Sequence, residues 1–272
     1  MNIFQWDQNP WGQEILVRIS WDLFYLSVLG GALFIVGHLV YRRKHPSDAS
    51  NILEPTTIEN IPEKIVRHSL PARLFHWIMA GSVLVLLGTG FLPVLGIHFD
   101  WVAIHWIAGL VLIGSIIFHI IHTIFWLNWK DIWISSKDWS EWKAEVQEII
   151  NGTETPSKSA KYPVDHRIFH NMIALTAFGV MATGLLMMFR IDGTIFARNS
   201  YMLSENSWGW VYVIHGLSAV GFVGMVMTHI YFAILPEKRW MTISMILGWI
   251  TRKDYIANHD PERWVVGKDS SK

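Results

Sequence analysis

The sequence predicts an all-α membrane protein with five transmembrane helices, and three observations carry that reading. Charged residues make up 16% of the 272 positions and hydrophobic ones 51%, whereas soluble domains carry about 25% charge. Five stretches run without Asp, Glu, Lys or Arg for about the 20 residues a bilayer crossing needs. They are Leu23–Tyr41, Leu74–Leu95, Trp101–Leu127, Ile168–Phe189 and Trp208–Leu235. Finally, the basic residues crowd onto alternate connecting segments. Helix is the structure such stretches must take, because lipid offers backbone groups no partner outside their own segment.

The opening residues, Met1–Ser20, do not read as a signal peptide. They have no basic leader, and Gln8, Pro10, Gln13 and Glu14 break any apolar run. The first span follows, with Gly30, Gly31 and Gly37 suited to close helix contact. This N-terminal segment, residues 1–45, is expected to pack outside the remaining spans or against a partner's anchor helix. Residues 46–67, with Pro46, Ser47, Pro55 and Pro62, read as a linker. The other four spans form a core over 68–235, and 236–272 is a tail.

Of the 22 Lys and Arg residues, three (Arg18, Arg190 and Arg198) fall on the side of the N-terminus. The rest lie in segments 42–73 and 128–167 and in the tail, so the positive-inside rule places those segments in the cytoplasm and the N-terminus outside. Trp21, Trp77, Trp101, Trp126, Trp129, Trp208 and Trp210 stand at or near span ends, where indoles meet headgroups. Asp138–Ile150 reads as a short interfacial helix, with Trp139, Trp142, Val146, Ile149 and Ile150 on one broad face.

Composition also excludes several functions. With no cysteine there is no disulfide, thiolate-held iron–sulfur cluster or c-type haem attachment. A net charge of zero speaks against a nucleic-acid partner.

Seven of the 13 histidines lie inside or at the mouths of four spans: His76, His105, His119, His122, His170, His215 and His229. Ionisable groups at that depth are costly and mark functional sites by default. A lone imidazole can equally well be bonded to a neighbouring carbonyl. Spacing separates the two readings. His215 and His229 are fourteen apart on the last span, a separation that returns to within about 40° of the same face after a rise of about 21 Å. Two ligands then face one way at two depths, and a bis-imidazole haem at each depth needs one more histidine. His105 matches His215 in depth. For His229, His76 and His119 remain rivals, since His119 itself stands fourteen after His105. His122 and His170 suit propionate-contacting or quinone-site roles. His38 reads as a tolerated helix-end residue, and His45, His68, His98, His166 and His259 as solvated loop histidines. Glycines on the four spans, among them Gly88, Gly90, Gly184 and Gly216, serve either helix packing or room for a flat macrocycle.

Several motifs resemble the cytochrome b (gamma) subunit of respiratory formate dehydrogenase-type, quinone-linked membrane oxidoreductases. They are Arg73-Leu-Phe-His76-Trp77, Ile104-His105-Trp106-Ile-Ala-Gly109, Ile214-His215-Gly216, Thr228-His229-Ile-Tyr231 and His259-Asp-Pro261-Glu-Arg263-Trp264. The resemblance covers about residues 65–266. It implies a four-helix di-haem transmembrane bundle plus one additional N-terminal transmembrane helix, in a bacterial cytoplasmic (inner) membrane. Of two b haems, His105 and His215 hold the outer iron and His76 and His229 the inner one, which sets His119 aside. Arg73 is placed to meet inner-haem propionates. The partners it implies are an iron–sulfur subunit and a molybdenum or tungsten catalytic subunit, and the substrate is a quinone (menaquinone or ubiquinone). Quinone is expected beside the 161–170 segment, with Asp165, His166 and His170 as candidate proton carriers. That segment keeps the family's Lys161-Tyr162 start and lacks its Asn and Gln. Two alternatives stay open: a free-standing transmembrane b-type cytochrome, and a haem-free transporter with histidines along its path.

Overall fold

The computed structural model describes residues 2–45, 61–151, 158–193 and 195–266. Most of the expected linker, 46–60, lies outside the described residues. Five helices are long and apolar enough to cross a membrane, each at an expected position. They are α1 (Asp22–Lys44), α2 (Leu70–Phe91), α3 (Trp101–Trp126), α5 (Val164–Met187) and α6 (Glu205–Ile234). Between α3 and α5 lies α4 (Ser136–Asn151), at the place where an interfacial helix is expected.

The helix ends follow local chemistry. Arg42, Arg43 and Lys44 fill the last turn of α1, where cations meet the unpaired carbonyls of the helix end. Pro71 is tolerated in the first turn of α2 because no intrahelical partner is needed there, and Pro163 immediately precedes α5. Asp165 and Glu205 place negative charge in the first turns of α5 and α6.

The chain forms two compact units, and each of the five long helices contributes to both. One comprises Met1–Ile35, Trp77–Ile117 and Ile173–His229; the other comprises Val36–His76, Phe118–Met172 and Ile230–Lys272.

In the first unit the opening residues form an antiparallel hairpin, β1 (Phe4–Gln8) with β2 (Glu14–Ile19). Its turn is built on Asn9, whose side-chain oxygen accepts from the backbone N–H of Trp11 and Gln13, while its amide donates to Glu205 at 2.6 Å. Leu16 and Ile19 close a small core with Val213 of α6. Glycine makes this docking possible: a Cβ on Gly209 would meet the Leu16 backbone, and one on Gly216 would meet the Ile19 side chain at 2.9 Å. Gly216 therefore makes room for a strand and not for a cofactor. The α1 helix joins the same face of the unit, through Ser27 donating to Val220 O at 2.9 Å and Gly31 against Met227.

In the second unit, the end of the expected linker and the expected tail build a folded module. Strand β3 (Lys64–Val66) pairs with β4 (Trp249–Thr251), which connects α7 (Arg239–Leu247) to α8 (Arg252–Asn258). Ile61, Ile65, Ile250, Tyr255 and Trp264 form its core. Arg67 is buried here with its guanidinium over the Trp240 ring at 4.7 Å, and burial lowers its pKa to about 10. His259, expected to be solvated, is instead fully buried. Its Nδ1–H donates to Ala160 O at 3.0 Å, and Trp264 packs edge-on against its ring. The module was missed because its strands are three residues long and carry no hydropathy signal.

Burial followed by the charge of Arg67 lowers the pKa of His259 to about 4, and the same two causes lower that of His68 to about 3. Both rings fold neutral, whereas the unfolded chain protonates them below about pH 6.5. Their contribution to stability is complete above that pH and is lost as pH falls through the folded values. The melting temperature of purified protein should therefore decline between pH 7 and 4, and His259→Gln should flatten that part of the profile.

Candidate haem site

In the first unit two histidines meet. His105, in the second turn of α3, and His215 of α6 have ring centres 6.3 Å apart at an interplanar angle of 59°. Each ring is held at Nδ1 by a threonine: Thr89 of α2 lies 2.8 Å from His105 and Thr183 of α5 lies 2.9 Å from His215. The tautomer follows from the hydroxyl protons. Thr89 donates to Val85 O at 2.7 Å and Thr183 to Gly179 O at 2.5 Å, each inside its own helix. A hydroxyl has a single proton, so each threonine accepts from an imidazole Nδ1–H. Both Nε2 lone pairs are then left for a metal.

The separation fits a haem iron. Two imidazoles in line on one metal, with bonds of about 2 Å, place their ring centres about 6 Å apart, and a tetrahedral ion would bring them nearer to about 5 Å. Among the described residues no group of three or more His, Cys, Asp or Glu could hold a metal ion. A bare ion needs about four ligands from the protein, but a haem brings its own equatorial nitrogens and asks for two axial ones. Gly90 and Gly184 border the rings: a Cβ on either would approach Cε1 of His105 or His215 at 3.7 and 3.5 Å. Each glycine directly follows its threonine, so the same Thr-Gly pair serves both rings. Sequence reading passed over these threonines, although Thr89-Gly90 and Thr183-Gly184 recur one helix before each histidine.

A hydrogen bond to the second nitrogen of a ligating imidazole typically carries about 10- to 100-fold in metal affinity. Thr183→Val or Thr89→Val should accordingly weaken retention of the group at this pair by that order, read as loss during dilution and gel filtration. Thr176→Val, on the helix of Thr183 but with its methyl group beside Gly221, serves as the comparison that should change little.

The second unit places the remaining candidates. His119 of α3 and His170 of α5 face each other with ring centres 6.3 Å apart at 58°, and Phe75 stacks on His119 at 4.1 Å. His122 is buried between Phe118 and Trp126, its neighbours one turn away on either side. Asp165 accepts from the His166 backbone N–H at 2.8 Å, with the two side chains 4.0 Å apart. Of the three expected proton carriers, then, two adjoin, and His170 turns to His119 instead. Arg73 Nη1 donates to Ile246 O at 2.6 Å, while its buried Nε has no hydrogen-bond partner and would suit a propionate. His38 bonds the Tyr231 hydroxyl at 2.7 Å. His76 belongs to the second unit and His229 to the first.

A family model described as prokaryotic cytochrome b561 matches residues 67–249. A relative named formate dehydrogenase, cytochrome b556 subunit, from Haemophilus influenzae, is 24% identical over 219 residues, which is 74% of this chain and 82% of the relative. That is the kind of protein the histidine motifs resemble. With five spans and an imidazole pair spaced for an iron, the chain belongs to the prokaryotic cytochrome b561 family and is a multi-pass membrane cytochrome that binds b-type haem.

Proposed function

We propose that this chain is the membrane-anchoring di-haem cytochrome b subunit of a respiratory oxidoreductase, exchanging electrons between a periplasm-facing, formate dehydrogenase-like enzyme and the quinone pool. The observation that carries the reading is the His105–His215 pair, held at 6.3 Å by two threonines. His76 and His229 hold the second haem. Their support is the fourteen-residue repeat from His215 to His229 and the motif resemblance.

When bound, a bis-imidazole haem carries single electrons and leaves iron no open position for substrate. The chain's own residues supply the rest. His105 and His215 fix one iron between α3 and α6, Thr89 and Thr183 keep both Nε2 atoms unprotonated, and Arg73 offers Nε to a propionate. Asp165 and His166 sit at the start of α5, beside the segment where quinone is expected. An imidazole gains and loses protons near neutrality, so this pair suits proton delivery to a quinone, with His170 as the remaining candidate carrier.

The relative's name supports a formate dehydrogenase as partner. Substrate oxidation and iron–sulfur transfer then lie on separate chains, an iron–sulfur subunit and a molybdenum or tungsten catalytic subunit, in line with the absence of cysteine here. The basic segments support an orientation with the C-terminus in the cytoplasm and the N-terminus in the periplasm of a bacterial inner membrane.

A reduced-minus-oxidised spectrum of the purified chain tests the reading. We expect b-type bands reducible by quinol, and copurification with an iron–sulfur and a molybdenum or tungsten subunit from native membranes. A chain without visible bands would reject it in favour of a transporter, and bands indifferent to quinol would favour a free-standing cytochrome.

A further inference from the structure

We infer that His119 and His170 form the membrane-embedded end of the path that delivers protons to the quinone, with Asp165 and His166 as its entrance. The inference rests on the proposed function, which gives His119 no task and His170 only a candidate one, and it adds the route between them.

The pair is not spent on structure. His38, His105, His215 and His259 each have Nδ1 in a hydrogen bond. Nδ1 of His119 and of His170 is buried with no hydrogen-bond partner. A buried polar atom left unpaired destabilises a fold, and ionisable side chains at membrane depth recur in proton relays because function alone retains them. The two rings face each other with centres 6.3 Å apart, a gap that one water can bridge. Phe75 lies flat on His119 at 4.1 Å and 7°. It covers a face of the ring and leaves uncovered the edge, where the nitrogens lie.

A route reaches the pair from the inner ends of the two helices. On α5, His166 stands one turn before His170. It is partly exposed, and its Nε2 lies 4.0 Å from the exposed Asp165 carboxylate. On α3, Thr123 stands one turn beyond His119, and its buried hydroxyl also has no hydrogen-bond partner. Residues four apart share a helix face and differ by about 6 Å in height. Each helix thus carries a polar group nearer the surface and an imidazole one turn deeper. Few other charges intervene. His122 is the other ionisable neighbour of His119, Phe75 brings no charge from α2, and Arg167 of α5 is committed to Asp138.

An imidazole takes a proton at one nitrogen and releases one from the other. Reduction of a quinone consumes two electrons, which on the proposed reading arrive through bound haem, and two protons. An imidazolium of the pair gives its N–H proton to a quinone oxygen, where an O–H bond forms. The neutral ring is then reprotonated from the cytoplasm through His166. Two passes complete the quinol and leave both rings as they began.

The test follows reoxidation of haem by quinone. The full chain is purified in detergent, reduced with just enough dithionite and mixed with decylubiquinone or menadione in light and in heavy water. His119→Ala and His170→Ala should keep the full haem complement and reoxidise about 100-fold more slowly, the low end for a positioned proton donor. The double variant should be no slower than either alone, because one path is broken. The solvent isotope effect should rise in each, and imidazole in the buffer should restore the rate. His119→Gln, polar and of similar size but unable to relay a proton, should be as slow as His119→Ala. Unaltered rates in these variants would overturn the inference. So would loss of a haem from them, or slowing with an unchanged isotope effect. If no quinone reoxidises the haem of the unaltered chain, the proposed function itself fails.

Discussion

Replacing His215 with alanine should remove one haem from the chain and leave the other in place, with the haem-to-protein ratio falling by one. His105→Ala should give the same loss, and the double variant no more than either alone, because the two rings lie 6.3 Å apart and, on the proposed reading, would share one iron. His76→Ala and His229→Ala should remove a different haem, recognised by its potential in a redox titration. The effect is all or none, since a haem held by two axial imidazoles loses half of the ligands the protein gives it when one is removed. If His215→Ala retained the full complement with an unchanged spectrum, the pair would be structural and the functional proposal would lose its main support. Rescue of that haem by imidazole in the buffer would show that the cavity, not the fold, had been altered.

Asp138→Ala should cost about 3 kcal/mol of stability, the usual order for breaking a buried ion pair by removing one partner. Asp138 meets the Arg167 guanidinium twice, at 2.7 and 3.0 Å, with both side chains nearly buried. Its other task is to start α4. Ser135 donates its N–H and hydroxyl to Asp138, and the Asp138 N–H returns to the Ser135 hydroxyl, a reciprocal cap. Burial pushes this carboxyl up, but the Ser135 backbone and hydroxyl and then Arg167 outweigh it and hold the pKa at about 2. A folded pKa below the unfolded value of about 3.9 means that the stabilisation is complete at neutral pH. It fades only as the medium is acidified through pH 4 toward 2. Thermal melts in detergent at pH 7 should show Asp138→Ala far below the unaltered chain. Asp138→Asn should lie between them, because it keeps part of the cap and loses the charge. Equal melting temperatures for all three would mean that the pair contributes nothing.

The five spans were legible because each runs for about 20 residues without a charge, a signal that survives any detail of packing. Their ends were less so: Arg42 to Lys44 count against a hydropathy window yet continue α1. The hairpin and the β3–β4 module left no comparable trace. Short strands such as Lys64–Val66 depend on partners nearly two hundred residues away, and nothing local records that pairing. Within the site, His105 with His215 could be read from depth alone. The facing of His119 and His170 could not, because a helix period gives the face of one helix and never names the neighbour it meets. Thr89 and Thr183 escaped for a related reason. Threonine is common in apolar helices, and a hydroxyl bonded inside its own helix looks ordinary until the imidazole opposite is known.

Those two threonines also solve a problem of dielectric. In water-exposed metal proteins the outer nitrogen of a ligating histidine is commonly held by a carboxylate. In hydrocarbon such an anchor would bring a full negative charge that must itself be solvated or paired. A hydroxyl whose proton is already committed to a backbone carbonyl offers a lone pair and nothing else. It orients the ring, selects the tautomer and adds no net charge. The charge of the bound iron, and hence its affinity for an electron, is then set by the macrocycle and the two neutral imidazoles alone. Exchanging Thr183 for Asp would convert this silent anchor into a charged one, and the midpoint potential of that centre would move downward with it.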